Sequence, residues 1–394
     1  MSHSKLAKKK SGSIDAKQYG MLIALILIYF IFSLLSGGKN ISSMNVNNLI
    51  MQNSYVVILA VGMLLCVLTG NVDLSVGSVV AFTGAACAIM VLDFHLPIAV
   101  SFLMILLCGL LIGAWQGFFI AYLNVPAFVV TLANMLVFRG LTMVILGGQT
   151  KGPLPTGYVQ IGAGYLPEIY TYIGGQKVEL LSILVGVIAS LIVIYMEIRS
   201  INKKKSYGFE VPAAWQEILK LVIIIFIINF FTIKLACYNG LPVVLALMLV
   251  LIIIYTFITN NTVPGRQIYA VGGNAKAAKL SGIKTQRVMF WIYVSMGLMS
   301  ALAGIVLSAR NASATPKAGE GFELDAIAAC YIGGAAALGG SGTIIGAVVG
   351  ALIMGVLNNG MSLIGWSVDI QRVVKGLVLL GAVTIDLISK KKAS

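Results

Sequence analysis

The sequence predicts an all-α, polytopic integral membrane protein with about 10–12 transmembrane or re-entrant helices. Three observations carry this. Of 394 residues, 59% are hydrophobic and only 10% are charged, whereas a soluble domain is about a quarter charged. The mean hydropathy is +0.98. Apolar runs of about 20 residues recur, each long enough at about 1.5 Å per residue to cross a hydrocarbon core of about 30 Å. In lipid every backbone N–H and C=O needs a partner within its own segment, so each run is expected to be a helix.

Residues 1–18 form a basic tail, "KLAKKKSGSIDAKQYG" at its heart. No small-x-small cleavage site ends the apolar run that follows, so the first span, 19–36, is expected to be an uncleaved helix rather than a signal peptide. Further spans are expected near 50–69, 74–92, 97–123, 126–148, 181–198, 214–236, 239–260, 287–309, 324–340, 343–359 and 370–388. If one Gly-rich segment re-enters instead of crossing, the count falls to ten or eleven. All lie in one transmembrane domain, 19–388, with a second basic tail at 389–394.

The formal charge of +14 would suggest nucleic acid in a soluble chain. In a membrane protein the sidedness of the charges is the better test. Threading the spans alternately from an inside N-terminus collects four basic clusters on one side. They are Lys5 to Lys17, then Arg199 with Lys203, Lys204 and Lys205, then Arg266, Lys276, Lys279, Lys284 and Arg287, then Lys390 to Lys392. The opposite loops and edges hold the acids Asp93, Glu168, Glu179, Glu320, Glu323, Asp325 and Asp369. Both termini, a basic loop at 199–213 and a polar island at 261–286 are therefore expected to be cytoplasmic. Loops at 149–180 and 310–323 are expected outside, the first with Tyr158, Tyr165, Tyr170 and Tyr172 available for a partner or resting at the interface. The expected neighbours are lipid and protein, with no nucleic acid.

No catalytic constellation is present. The two histidines are His3 and His95, the five cysteines are scattered mostly through apolar runs, and no phosphate-binding loop or metal motif occurs. No metal site is expected. Polar residues at membrane depth therefore carry the argument. Asn71, Asp73 and Ser75 follow Gly70, where they either shape a break lining a pathway or simply cap a helix. Arg139, inside "NMLVFRGLTMVI", needs a partner or must snorkel, and Asp73 is the expected acidic partner. Gln116, Asn134, Asn358 and Asn359 are either neutral hydrogen-bonding lining or glue between helices. "TGNVDLSVGSVVA" (69–81) and "LGGSGTIIGAVVG" (338–350) resemble each other, aligning Gly70 with Gly339 and Gly77 with Gly346. With Gly350 these glycines suit either close helix packing or the related halves of a transporter.

Within the island, Asn274 is expected to cap a short helix over "AKAAKLS" that Gly282 ends, with turns at Pro264-Gly265 and Gly272-Gly273. Asn274, Ala277, Ala278 and Ser281 would form a small, flat face. Such a face suits a groove on a protein better than a lipid surface.

"GNVDLSVGSVVAFTGA", "VPAFVVTLANMLVFRG", "GRQIYAVGGNAKAAKLSGI" and "FELDAIAACYIGGAAALGGSGTIIGAVVGALIMGVLNNG" resemble membrane permeases of bacterial ribose/xylose-type sugar ABC importers. The long form, with extra length around 149–255, is most similar to the multiple-monosaccharide and xylose permeases. Related branched-chain amino-acid permeases share the late Gly-rich motif but generally lack the Asp-Leu-Ser-Val-Gly at 73–77. Asn134 departs from the small or apolar residues expected there. The resemblance implies a bacterial cytoplasmic-membrane permease subunit, not an enzyme, that passes monosaccharides by alternating access. Gly272 to Gly282 would couple it to a separate ATPase, which uses ATP and Mg while this chain binds no cofactor. An extracytoplasmic sugar-binding protein and a second permease copy would complete the assembly. An ion-coupled secondary sugar transporter is the rival reading. A channel or membrane enzyme would need a selectivity ring or a catalytic cluster, and neither is present.

Overall fold

The structure is a computed structural model that describes residues 12–167, 169–173, 176–207 and 214–391. Parts of the two tails, Glu168 and the end of the 199–213 loop lie outside the described residues.

The helices follow the apolar runs. They are α1 (Gly12–Leu35), α2 (Ser43–Leu68), α3 (Val76–Leu92), α4 (Ile98–Ala121), α5 (Ala127–Leu146), α6 (Thr156–Ala163), α7 (Leu180–Ser206) and α8 (Ala214–Ala236). Then come α9 (Val243–Asn261), α10 (Val263–Gly273), α11 (Ala275–Leu280), α12 (Thr285–Arg310), α13 (Phe322–Ile332), α14 (Ile344–Leu363) and α15 (Val368–Lys391). Among the described residues eight helices are long and apolar enough to cross a membrane. The other four predicted segments appear as α1, α3, α13 and α15. The chain is an all-α, multi-pass membrane protein.

The starts are written in the sequence. Pro97, Pro126, Pro155 and Pro242 stand immediately before α4, α5, α6 and α9, where a fixed φ and a missing N–H cost nothing. Ser42, Glu179, Thr262, Asn274 and Thr343 place a side-chain oxygen on an early backbone N–H of the helix that follows, satisfying donors that have no partner within the helix.

Helix α2 is the axis of the bundle: 83% of its most apolar stretch is buried, against 6% for α8. Helix α12 packs beside it and closes on α4 and α3 through small residues. A Cβ on Gly109 or Gly113 would collide with the α12 backbone, and one on Gly304 with α3. Without water to drive association, such close backbone approach is how membrane helices gain contact. Helices α7 and α8 form a peripheral hairpin zipped by a polar seam. Lys220 lies 2.8 Å from Glu197, and Asn229 donates to Ser190 at 2.8 Å.

Three expectations change and one open alternative, at 149–180, is resolved. The stretch 324–340 is not one span: α13 has 11 residues, about 16 Å of helix, and the chain then runs irregularly from 333 to 343. Gly334, Gly339 and Gly340 all take positive φ there, so the alanines and Leu338 give an apolar average to a stretch whose glycines leave the helical conformation. The basic loop at 199–213 begins as helix, with α7 carrying Arg199 and Lys203 to Lys205 to its end. The 149–180 loop is structured, holding α6 and an antiparallel hairpin of β1 (Tyr170–Ile173) and β2 (Gln176–Glu179). Pro264-Gly265 is not a separate turn but lies in the first turn of α10, whose start Thr262 caps, and Gly272-Gly273 ends that helix just before the break at Asn274 that leads into α11.

Candidate functional site

After α12 the chain folds back into the bundle. Residues 311–321 descend beside α3 until Gly319 lies against Gly77, where a Cβ on either would strike the other's carbonyl. Gly319 and Gly321 adopt φ of +70° and +80°, which an L side chain disfavours. Phe322, the first residue of α13, stacks on Tyr55 near the middle of α2, centroids 3.7 Å apart. The N-terminus of α13 therefore opens deep inside the bundle, a broken helix of the kind that membrane transporters place at their pathway.

Arg139, midway along α5, holds this re-entrant segment. Its guanidinium donates to the Pro316 carbonyl at 3.2 Å and to the Ala318 carbonyl at 2.6 Å. That corrects the expected pairing with Asp73. Asp73 is buried at the start of α3, where its carboxylate accepts from the Ser75 N–H at 2.8 Å and hydroxyl at 2.6 Å. Gln116 in turn donates to Ser75 at 2.6 Å. Asp73 thus shapes the turn into α3, while Ser75, the residue before that helix, makes no side-chain capping bond to it.

Three acids open α13, and three bases from other helices surround it. Asp325, 1% exposed, is held by Lys375 of α15 at 3.0 Å, with Asn358 of α14 buried nearby. Glu320 pairs with Arg372 at 3.3 Å on the exposed rim. Glu323 turns toward Arg139 and Gly77. A cavity of about 210 Å³ lies here, lined by Ser78, Met135, Leu136, Arg139, Glu320, Gly321 and Glu323. Sequence reasoning placed Glu320, Glu323 and Asp325 at the outer loop edge and passed over Arg372 and Lys375. The signal was available: two bases three residues apart at the start of an apolar span require partners, and three acids stand at the opening of the apolar span two before it.

The remaining pathway candidates do not converge on this cavity. Asn359 exchanges hydrogen bonds with Asn45 at 2.9 and 3.1 Å, glue between α14 and α2. Asn134 is buried on α5, and Asn71 bonds back to Thr69 at 3.1 Å.

The two similar Gly-rich stretches meet. Gly70 and Gly339, aligned by sequence, share the left-handed conformation at φ +74° and +82° and touch each other. Gly340 donates to the Leu68 carbonyl at 2.8 Å. The end of α10 closes the junction: a Cβ on Gly272 would strike Leu68, and Tyr269 donates its hydroxyl to the Gly342 carbonyl at 2.7 Å. Burial pushes the Tyr269 pKa up, keeping the hydroxyl a donor. Gly346 and Gly350 press α14 onto the α13 backbone at Gly333 and Ala329.

From this junction α11 projects. Asn274 accepts from the Ala277 N–H at 3.0 Å, and Gly282 ends the helix at φ +85°. The expected flat face loses Ala278, which is buried, and Gly272 of the coupling segment belongs to the junction. Asn274, Ala277, Ser281, Gly273 and Gly282 remain exposed, with Lys276, Lys279 and a Leu280 that is 90% exposed.

A family model described as the permease component of the branched-chain amino acid transport system matches residues 45–383. The xylose transport system permease protein of Escherichia coli K12 is 36% identical over 395 residues, covering 99% of this chain and 98% of the relative. Its counterpart from Haemophilus influenzae is 37% identical over 383 residues, 97% and 99% of the two chains. The ribose import permease protein of Escherichia coli K12 is 34% identical over 367 residues, 93% and 92%. No solved structure matches the chain.

Proposed function

This chain belongs to the transport-system permease family, and from that premise we propose that it is the membrane-spanning subunit of an ATP-driven importer of monosaccharides in the bacterial inner membrane. The chain is a transporter component rather than an enzyme. Its broken α13 and interior charges suit passage of a polar solute, and the full-length likeness to xylose and ribose permeases supports a sugar.

The observation that carries the coupling is the junction. Helix α11 is exposed, and α10 behind it touches both Gly-rich loops, one leading into α3 and the other into α14. A partner gripping α11 would pull on both helices through backbone contacts that leave no slack. Leu280, set among Lys276, Lys279 and Lys284, fits an apolar groove with an acidic rim on a separate ATPase. That subunit uses ATP and Mg, and this chain binds neither. A sugar-binding protein delivers cargo at the other end, where α6 and the β1–β2 hairpin lie, and a second permease copy lines the path.

Affinity purification of the chain from its native membrane tests this reading. An ATPase with a phosphate-binding loop is expected to co-purify with the native chain. It should be lost when Gly272 to Gly282 is replaced by a flexible linker. If uptake by the native system collapses with the proton gradient while ATP is held constant, the chain is an ion-coupled transporter instead.

A further inference from the structure

We propose that the cavity at the N-terminus of α13 is a polyol subsite, where a passing monosaccharide is held through its hydroxyls by Glu323, Ser78 and Arg139. The proposal rests on the importer reading and deepens it, giving the permease a sugar contact of its own.

The chemistry of the lining selects the ligand. At about 210 Å³ the space exceeds the roughly 30 Å³ share of a water several times over, yet falls short of the roughly 300–1,000 Å³ of drug-sized pockets. It suits one small solute. An anion would meet Glu320 and Glu323, and an inorganic cation would meet Arg139. A neutral molecule bearing both donors and acceptors satisfies both signs at once. A sugar donates hydroxyl hydrogens to the Glu323 carboxylate and accepts from the guanidinium, while its C–H face rests on Met135 and Leu136. The Nη1 of Arg139 is committed to Pro316 and Ala318, leaving its other N–H donors for the cavity. Glu320 is engaged by Arg372 at the rim and frames the entrance.

Ser78 is the independent sign of a ligand. Its side chain is 1% exposed and lines the cavity, yet its Oγ has no hydrogen-bond partner among the described residues. Several other buried hydroxyls bond back to the preceding turn, although those of Ser36, Thr256 and Tyr293 share the lack of a partner. Thr83 reaches Val79 at 2.7 Å, Ser300 reaches Met296 at 2.9 Å, and Ser308 reaches Gly304 at 2.8 Å. A buried polar atom left alone is expensive, and an oxygen or hydroxyl of the solute would satisfy it. Gly77 one position earlier holds the same wall open, since a Cβ there would strike the Glu323 carboxylate.

Two measurements test the subsite. In the first, the full chain in nanodiscs, without binding protein or ATPase, is examined by saturation-transfer NMR with D-xylose, D-ribose, glycerol and L-leucine as probes. Transfer to the pentoses is expected, with none to leucine, and it should fall at least about threefold in Ser78→Ala and Glu323→Gln. In the second, the importer assembled in proteoliposomes is followed for sugar uptake and ATP hydrolysis. Loss of one charge-assisted hydrogen bond predicts roughly a tenfold fall in uptake for Glu323→Gln, with hydrolysis retained and partial rescue by Glu323→Asp. No transfer to either pentose, transfer undiminished in the variants, or preference for leucine overturns the subsite. Should Glu323→Gln fail to fold, Ser78→Ala decides alone. Absence of ATP-dependent uptake by the native assembly would sink the importer reading and leave the NMR result to stand by itself.

Discussion

Asp325 shows what a single residue contributes in a low-dielectric interior. Its carboxylate is enclosed, with Lys375 at 3.0 Å as its compensating charge. Removing one member of such a pair strands the other, typically at about 3–5 kcal/mol, whereas replacing both by apolar residues is often neutral. Lys375→Met is therefore expected to lower the thermal midpoint of the purified protein in detergent, and Asp325→Leu with Lys375→Met to restore most of it. A single variant as stable as the native chain would show that the pair does not support the fold. At this scale the sequence was only partly legible. It flagged Arg139 as a cation in need of a partner but supplied the wrong one, because two backbone carbonyls of a re-entrant loop hold the half-buried guanidinium. Backbone acceptors have no sequence signature. Asp325 was misplaced for a related reason: charge at the edge of an apolar run looks like a loop unless the chain is known to turn inward.

Among the elements, the existence of the long helices was legible, since a run of about 20 apolar residues has few alternatives in lipid, while their polar extensions at the starts of α1 and α2 and the end of α7 were not. The broken segment was not. Hydropathy reports composition, and a glycine-rich stretch such as 333–343 scores as apolar whether or not it is helical. Its left-handed glycines become visible only as backbone. The island shows the same division. Its cap and its stop at Gly282 were readable from residue types, while the burial of Ala278 depends on how α11 packs against the flanking helices α10 and α12. Two glycines give a sharp element-level test. Gly350→Leu drives a side chain into the Ala329 carbonyl, and Gly273→Ala meets nothing within 4 Å. Fluorescence-detected size-exclusion chromatography is expected to show collapse of the folded peak for Gly350→Leu and a native profile for Gly273→Ala. A native profile for both would mean that α13 and α14 are not in close contact.

At the scale of the whole molecule, the two ends of the bundle differ in kind. One carries α10, α11 and the exposed bases Arg266, Lys276, Lys279, Lys284 and Arg287; the other carries α6, the β1–β2 hairpin and the Asp93–Lys151 pair at 2.6 Å. Lys and Arg near span ends are retained on the cytoplasmic side, so the basic end is expected inside and α11 within reach of a cytoplasmic ATPase. That orientation governs every functional step, because inverting it would offer α11 to the binding protein and the hairpin to the motor. Single cysteines at Lys279 and at Tyr172, which is 75% exposed, placed in a chain whose five native cysteines are replaced, can establish it. A membrane-impermeant maleimide applied to spheroplasts should label Tyr172→Cys at once and Lys279→Cys only after permeabilisation. The reverse pattern would place the basic end outside, leaving the α11 surface without access to ATP and the junction behind it without a motor to move it.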